Sequence, residues 1–214
     1  MARVYLEVGK KKVFACALEW PGWARSGRTE ELALTALDDY ADRYADVCSV
    51  AGVRFPADRE YVVVERVAGN ATTDFGAPDR VPDADLTAVS AAEAKRASGL
   101  VRASWEVFDR IAAESPESLR KGPRGGGRDR DKMIDHVLGA EASYARKLGV
   151  RHKQPALGDS EAIEALRADI VAVLAKPSPD GAGVVPRGWP VRYAARRIAW
   201  HVLDHAWEME DRAS

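Results

Sequence analysis

The sequence predicts a two-domain α+β chain: a small β-β-α-β layer over residues 1–68, a linker over 69–87, and a four-helix bundle over 88–214. Three observations predict it. Short alternating apolar segments, each closed by turn residues, fill the first part. Long Ala-rich segments with apolar residues every three or four positions fill the last. Between them, the run from Gly69 to Asp83 is crowded with Gly, Pro, Asn, Thr and Asp, which break regular elements.

In the first part, residues 3–8 read as a strand, Gly9-Lys10 as a turn, and residues 12–19 as a second strand with Phe14, Cys16 and Leu18 on one face. After a Pro21-Gly22 turn, Thr29 is placed to cap a helix whose first turn carries Glu30 and Glu31, which suits the positive end of the helix dipole. Ala33, Leu37, Tyr40, Tyr44 and Val47 continue that helix at its period, and residues 61–67 read as a third strand. The run from Leu18 to Ala33 resembles the antitoxin domain of the HicB family: a strand, Pro21-Gly22, the segment Ser26-Gly27-Arg28-Thr29, the acidic pair Glu30-Glu31 and an Ala-rich helix. The resemblance spans residues 1–68. It implies a fold more than a role, because the DNA-binding segment such antitoxins carry after this domain is not visible here.

Four helices are expected after the linker. Residues 88–114 bury Leu100, Val101, Val107, Phe108 and Ile111 and end at Ser115-Pro116. Residues 130–148 turn Met133, Val137, Ala140, Tyr144 and Leu148 inward, and residues 160–175 do so with Ile163, Leu166, Ile170 and Leu174. The last helix starts at Pro190, suited to a first helical position, and runs to about residue 212. Its apolar stripe is Ala194, Ile198, His201, Val202, His205 and Met209.

Composition narrows the function classes. Apolar residues make up 46% and charged residues 30% of the 214, as in ordinary globular proteins. A formal net charge of −1 leaves no electrostatic footprint for nucleic acid or an anionic membrane. The start has no apolar leader core and no run is long enough to span a bilayer, so a cytoplasmic protein is expected. Cys16 and Cys48 are the only two cysteines, which supports neither a disulfide framework nor a Cys-based zinc site, and Cys16 is expected as a buried free thiol. No Ser-His-Asp grouping, dinucleotide fingerprint or Cys-x-x-Cys occurs.

The histidines carry the chemical signal. Four occur: His136, His152, His201 and His205. His201 and His205 stand one turn apart on one helix face, with Cβ atoms about 6 Å apart. Both can reach one ion at about 2.0–2.1 Å from each ring nitrogen. His136 lies on the inward stripe of a facing helix, whereas His152, between Arg151 and Lys153, reads as exposed. Spacing alone leaves two readings open, a metal site or a buried hydrogen-bond network.

The segments from Met133 to Glu141 and from Trp200 to His205 resemble the DinB/YfiT-like superfamily, whose bundles carry one histidine on the second helix and a His-x-x-x-His pair on the last. The likeness covers residues 88–214, with a connection from His136 to His201 shorter than usual. It implies that His136, His201 and His205 bind a divalent metal, zinc or nickel. It also implies a low-molecular-weight thiol such as mycothiol as co-substrate, since members known as enzymes use such thiols, mycothiol-dependent isomerases and bacillithiol S-transferases among them, while many others have no assigned activity. A small-molecule substrate is then expected, with a metal-dependent hydrolase as the nearer variant. A non-catalytic sensor or interaction module using the HicB-like layer is the alternative.

Three further residues are candidates. Glu208, three positions after His205, is open as a fourth ligand, a base or an outward salt-bridge partner, the last being favoured. Arg124 and Arg128 lie in the Gly-rich loop 121–130, which lacks a P-loop ending and reads first as a plain connection. At a catalytic site they would pair with a carboxylate of the substrate or thiol. An exposed edge of the first sheet makes a homodimer plausible.

Overall fold

Four strands and seven helices make up residues 1–56, 60–122 and 127–213 of the computed structural model. β1 (Ala2–Val8), β2 (Val13–Ala17), β3 (Ala24–Gly27) and β4 (Tyr61–Ala68) form one sheet in the order β3-β2-β1-β4. β1 and β2 run antiparallel, as do β2 and β3, whereas β4 lies parallel to β1. A parallel neighbour needs a long crossover, and the helical stretch between β3 and β4 provides it. The sheet-then-helix order makes the chain α+β, as expected.

β3 is a strand the periodicity does not predict. Ala24-Arg25-Ser26-Gly27 has no apolar alternation; it pairs with β2 at the sheet edge, and Arg25 is tied to Asp204 at 2.6 Å. Gly27 ends it where a side chain would strike the backbone of Leu32 and Ala33. Gly22 in the preceding turn has φ +95, and a Cβ there would meet Leu203 and Ala199 of the last helix. That turn is a docking point as well as a reversal.

The single helix expected after Thr29 is two. Thr29 caps α1 (Glu30–Asp39) by accepting from Leu32 N at 3.2 Å, and α2 (Ala41–Val50) follows after Tyr40, whose φ of −96 and ψ of 4 leave the helical region. The Tyr40 ring is taken up by tertiary contacts, 5.2 Å from the Trp207 ring and beneath the Arg25 guanidinium at 3.7 Å.

The stretch expected as a linker is fastened at several points. α3 (Ala71–Phe75) is held by a reciprocal cap between Asn70 and Thr73, and a short 3-10 turn covers Asp83–Leu86. Glu7 of β1, fully buried, accepts from the backbone N–H groups of Asp79 and Arg80 at 2.9 Å and from the Thr73 hydroxyl.

The four long helices fall within a few residues of expectation: α4 (Ala91–Glu114), α5 (Arg130–Lys147), α6 (Ser160–Leu174) and α7 (Val191–Ala213). Ser90 and Glu93 close the start of α4 reciprocally, Glu93 Oε2 accepting from Ser90 N at 2.8 Å. One hydrophobic core runs through both parts of the chain, joining Val4 and Leu6 of the sheet to Leu100, Met133, Leu166 and Ile198 of the long helices. On the opposite sheet face Tyr5, Phe14, Cys16 and Leu18 gather around Trp200.

α7 is therefore covered on two sides. Trp200 packs edge-on against Phe14 at 5.9 Å, while Trp207 packs against Tyr40, and both are buried. Seven residues apart, the two rings share one face of α7, two turns from each other. Cys16 and Cys48 are both buried free thiols. Among the described residues, no helix is long and apolar enough to cross a membrane.

Candidate metal centre

α5 and α7 bring His136, His201 and His205 together. Each offers a ring nitrogen, and these atoms lie within 4.8 Å of one another. His201 Nε2 and His136 Nε2 are 3.3 Å apart. Two tetrahedral ligands at about 2.0–2.1 Å from a zinc ion stand about 3.3–3.4 Å from each other. That pair is already spaced as two ligands of one ion, and His205 needs only a small closing movement to complete three.

The other nitrogens are supported unequally. His205 Nδ1 lies 3.0 Å from Glu208 Oε2, so Nδ1 carries a proton, and it is the Nε2 of the neutral ring that would have a lone pair to offer. Glu208 Oε1 in turn accepts from Arg212 Nη1 at 2.8 Å, and Arg212 Nε donates to the Arg120 carbonyl at 2.6 Å. This is the arrangement that orients a metal-binding imidazole. His201 Nδ1, by contrast, is buried with no hydrogen-bond partner. The Tyr144 ring stands edge-on to His201 at 5.6 Å, with Trp189 at 5.0 Å from Tyr144.

Burial keeps the imidazoles of His136 and His201 neutral. Burial pushes the His201 pKa well below its ordinary value, helped by His205, His136 and the cations Arg197 and Arg128. Burial also lowers His136, again with His205 and Arg128 acting in the same direction. Neutral imidazoles expose the lone pairs that a metal requires. Glu208 is held below the usual carboxylate range, first by the His205 hydrogen bond, and so is ionised at neutral pH.

Glu208 thus faces both ways: it meets Arg212 in the salt bridge the sequence favoured, and its other oxygen meets His205. With both oxygens engaged it supports His205 and is not a free base. Arg128 is exposed at the start of α5 and near enough to act on two of the histidines, whereas Arg124 lies outside the described residues. His152 is partly buried, 2.8 Å from Asp169, and stands outside the cluster. Two contributors went unread. Arg212 was legible as an i, i+4 partner of Glu208. Arg197, one turn before His201, was not singled out because its neighbours Tyr144 and Trp200 come from folding, its guanidinium lying 5.5 Å and 4.9 Å over their rings.

Comparison with known proteins adds no relative: no family model, no curated protein and no solved structure matches this chain.

Proposed function

We propose that His136, His201 and His205 bind one divalent metal, zinc or nickel, in a DinB-like four-helix bundle, and that the chain acts with a low-molecular-weight thiol on a small molecule as a transferase or isomerase. The observation that carries the reading is the 3.3 Å separation of the His136 and His201 Nε2 atoms within a three-imidazole cluster. Three protein ligands leave positions for an exchangeable group, as in catalytic sites. A bound ion would supply Lewis acidity and lower the pKa of a coordinating thiol.

The chain's own residues divide the remaining work. Glu208, braced by Arg212, fixes the His205 tautomer so that Nε2 faces the site. Tyr144 and Trp189 stand as an aromatic wall beside His201. Arg128, whose charge reaches His136 and His201, would receive an anionic end of the substrate or thiol. Thermal-shift measurements test the reading: metal should raise Tm, and mycothiol, bacillithiol or glutathione should raise it further. Stabilisation by metal with no response to any thiol would favour a metal sensor or interaction module. No response to zinc or nickel would overturn the metal site itself.

A further inference from the structure

Behind the histidines, the face of α7 that meets the sheet carries Arg196, Arg197 and Trp200, at helical spacing that places them together. With Tyr5, Cys16 and Trp23 they line a small cavity, which has room for about one water-sized sphere. Arg196 Nε, Arg197 Nη1 and Trp200 Nε1 are all buried without a hydrogen-bond partner. Three orphaned donors on side chains that line one small space call for an acceptor, since a buried donor left unmade costs about 1–3 kcal/mol.

Among the described residues, the nearby carboxylates are already engaged. Asp85 is engaged by both Nη atoms of Arg196, and Asp79 accepts from Asn70 Nδ2 at 2.7 Å. Glu7 is taken by Thr73 and by the N–H groups of Asp79 and Arg80. The carbonyls of Gly22 and Trp23 at the rim already accept from Ala24 and Ala17. Burial pushes the Cys16 thiol up to about 12, and raises the Tyr5 phenol, so neither is an anion at neutral pH. Among the described residues Arg197 has no carboxylate within salt-bridge distance, whereas Arg25, Arg167, Arg196 and Arg212 each have one.

A water molecule would accept from at most two of the donors and would have two hydrogens of its own to place. A monatomic anion accepts from all three, has none to place and balances Arg197. We propose that this cavity is a binding site for a single halide-sized monoanion, chloride being the probe of choice, held by Arg196, Arg197 and Trp200 between the sheet and α7.

The test uses the full chain stripped of metal with a chelator, so that halide cannot bind at the histidines. Crystals grown in sodium bromide should give an anomalous peak within the cavity. In solution at constant ionic strength, replacing gluconate by chloride should raise Tm saturably in the wild type. Arg197→Met should abolish that rise, and Trp200→Phe, which keeps the ring against Phe14 but removes the N–H, should weaken chloride binding about tenfold, the loss of one hydrogen bond to a charged group. The absence of a bromide peak, or equal chloride responses in the wild type and both variants, would overturn the proposal.

Discussion

Arg196 and His201 lie five positions apart on α7 and are equally buried, each 7% exposed, yet their surroundings differ. Arg196 sends both Nη atoms to the carboxylate of Asp85, itself fully buried, in a bidentate pair. That pair fastens the 3-10 turn Asp83–Leu86 to α7. His201 has no such partner: its Nδ1 is unpaired and its Nε2 faces another imidazole nitrogen. The Asp85–Arg196 pair closes carboxylate to guanidinium and leaves only Arg196 Nε over, whereas among the described residues neither ring nitrogen of His201 meets an oxygen acceptor. The contrast favours a site that awaits a ligand over a structural hydrogen-bond network.

Removing Asp85 should have the largest effect. Asp85→Ala strands a buried guanidinium and should destabilise the chain by about 3–5 kcal/mol, read from urea unfolding, with the metal content of the folded fraction unchanged. A loss below about 1 kcal/mol, the level of an exposed pair, would break the distinction between the clusters. Next comes metal linkage: zinc at a hundredfold excess over Kd should stabilise the wild type by about 2.7 kcal/mol and should not stabilise His201→Ala.

Glu208→Gln probes the support behind His205. Zinc affinity, measured against a competing chelator, should fall about 10–100-fold, while the Tm of the metal-free protein barely moves. An unchanged affinity would detach Glu208 from the site.

The smallest effect concerns pH. Burial holds His201 and His136 below the ordinary histidine pKa of about 6.5, so protons bind the unfolded chain more readily. The stabilising contribution is present above about pH 6.5 and lost as pH falls toward the folded values. Metal-free wild type should therefore lose stability on acidification, and His201→Asn should show a shallower decline. Identical pH profiles would remove His201 from the account.

Much of this was legible in the sequence, for identifiable reasons. The four long helices announce themselves because their apolar period is set by burial against neighbours, and Thr29 caps α1 as its hydroxyl dictates. The histidine cluster was legible because i, i+4 spacing fixes two members on one face and His136 sits on the stripe of a facing helix. β3 was not, since an edge strand of Ala, Arg, Ser and Gly is made by its partner and carries no pattern of its own. Nor was the break at Tyr40, whose ring meets Arg25 and Trp207 only in the folded chain. The fastening of residues 69–87 was hidden too: turn-rich composition signals irregular backbone, but not that Glu7 and Arg196 hold it down.

The central claim is that His136, His201 and His205 form one metal site. Elemental analysis of purified protein, wild type beside His136→Ala, His201→Ala and His205→Ala, tests it most directly. The account predicts one zinc or nickel ion per wild-type chain and a marked loss in each folded variant. Metal-free wild type after growth with both metals, or equal metal content in all four proteins, would contradict it.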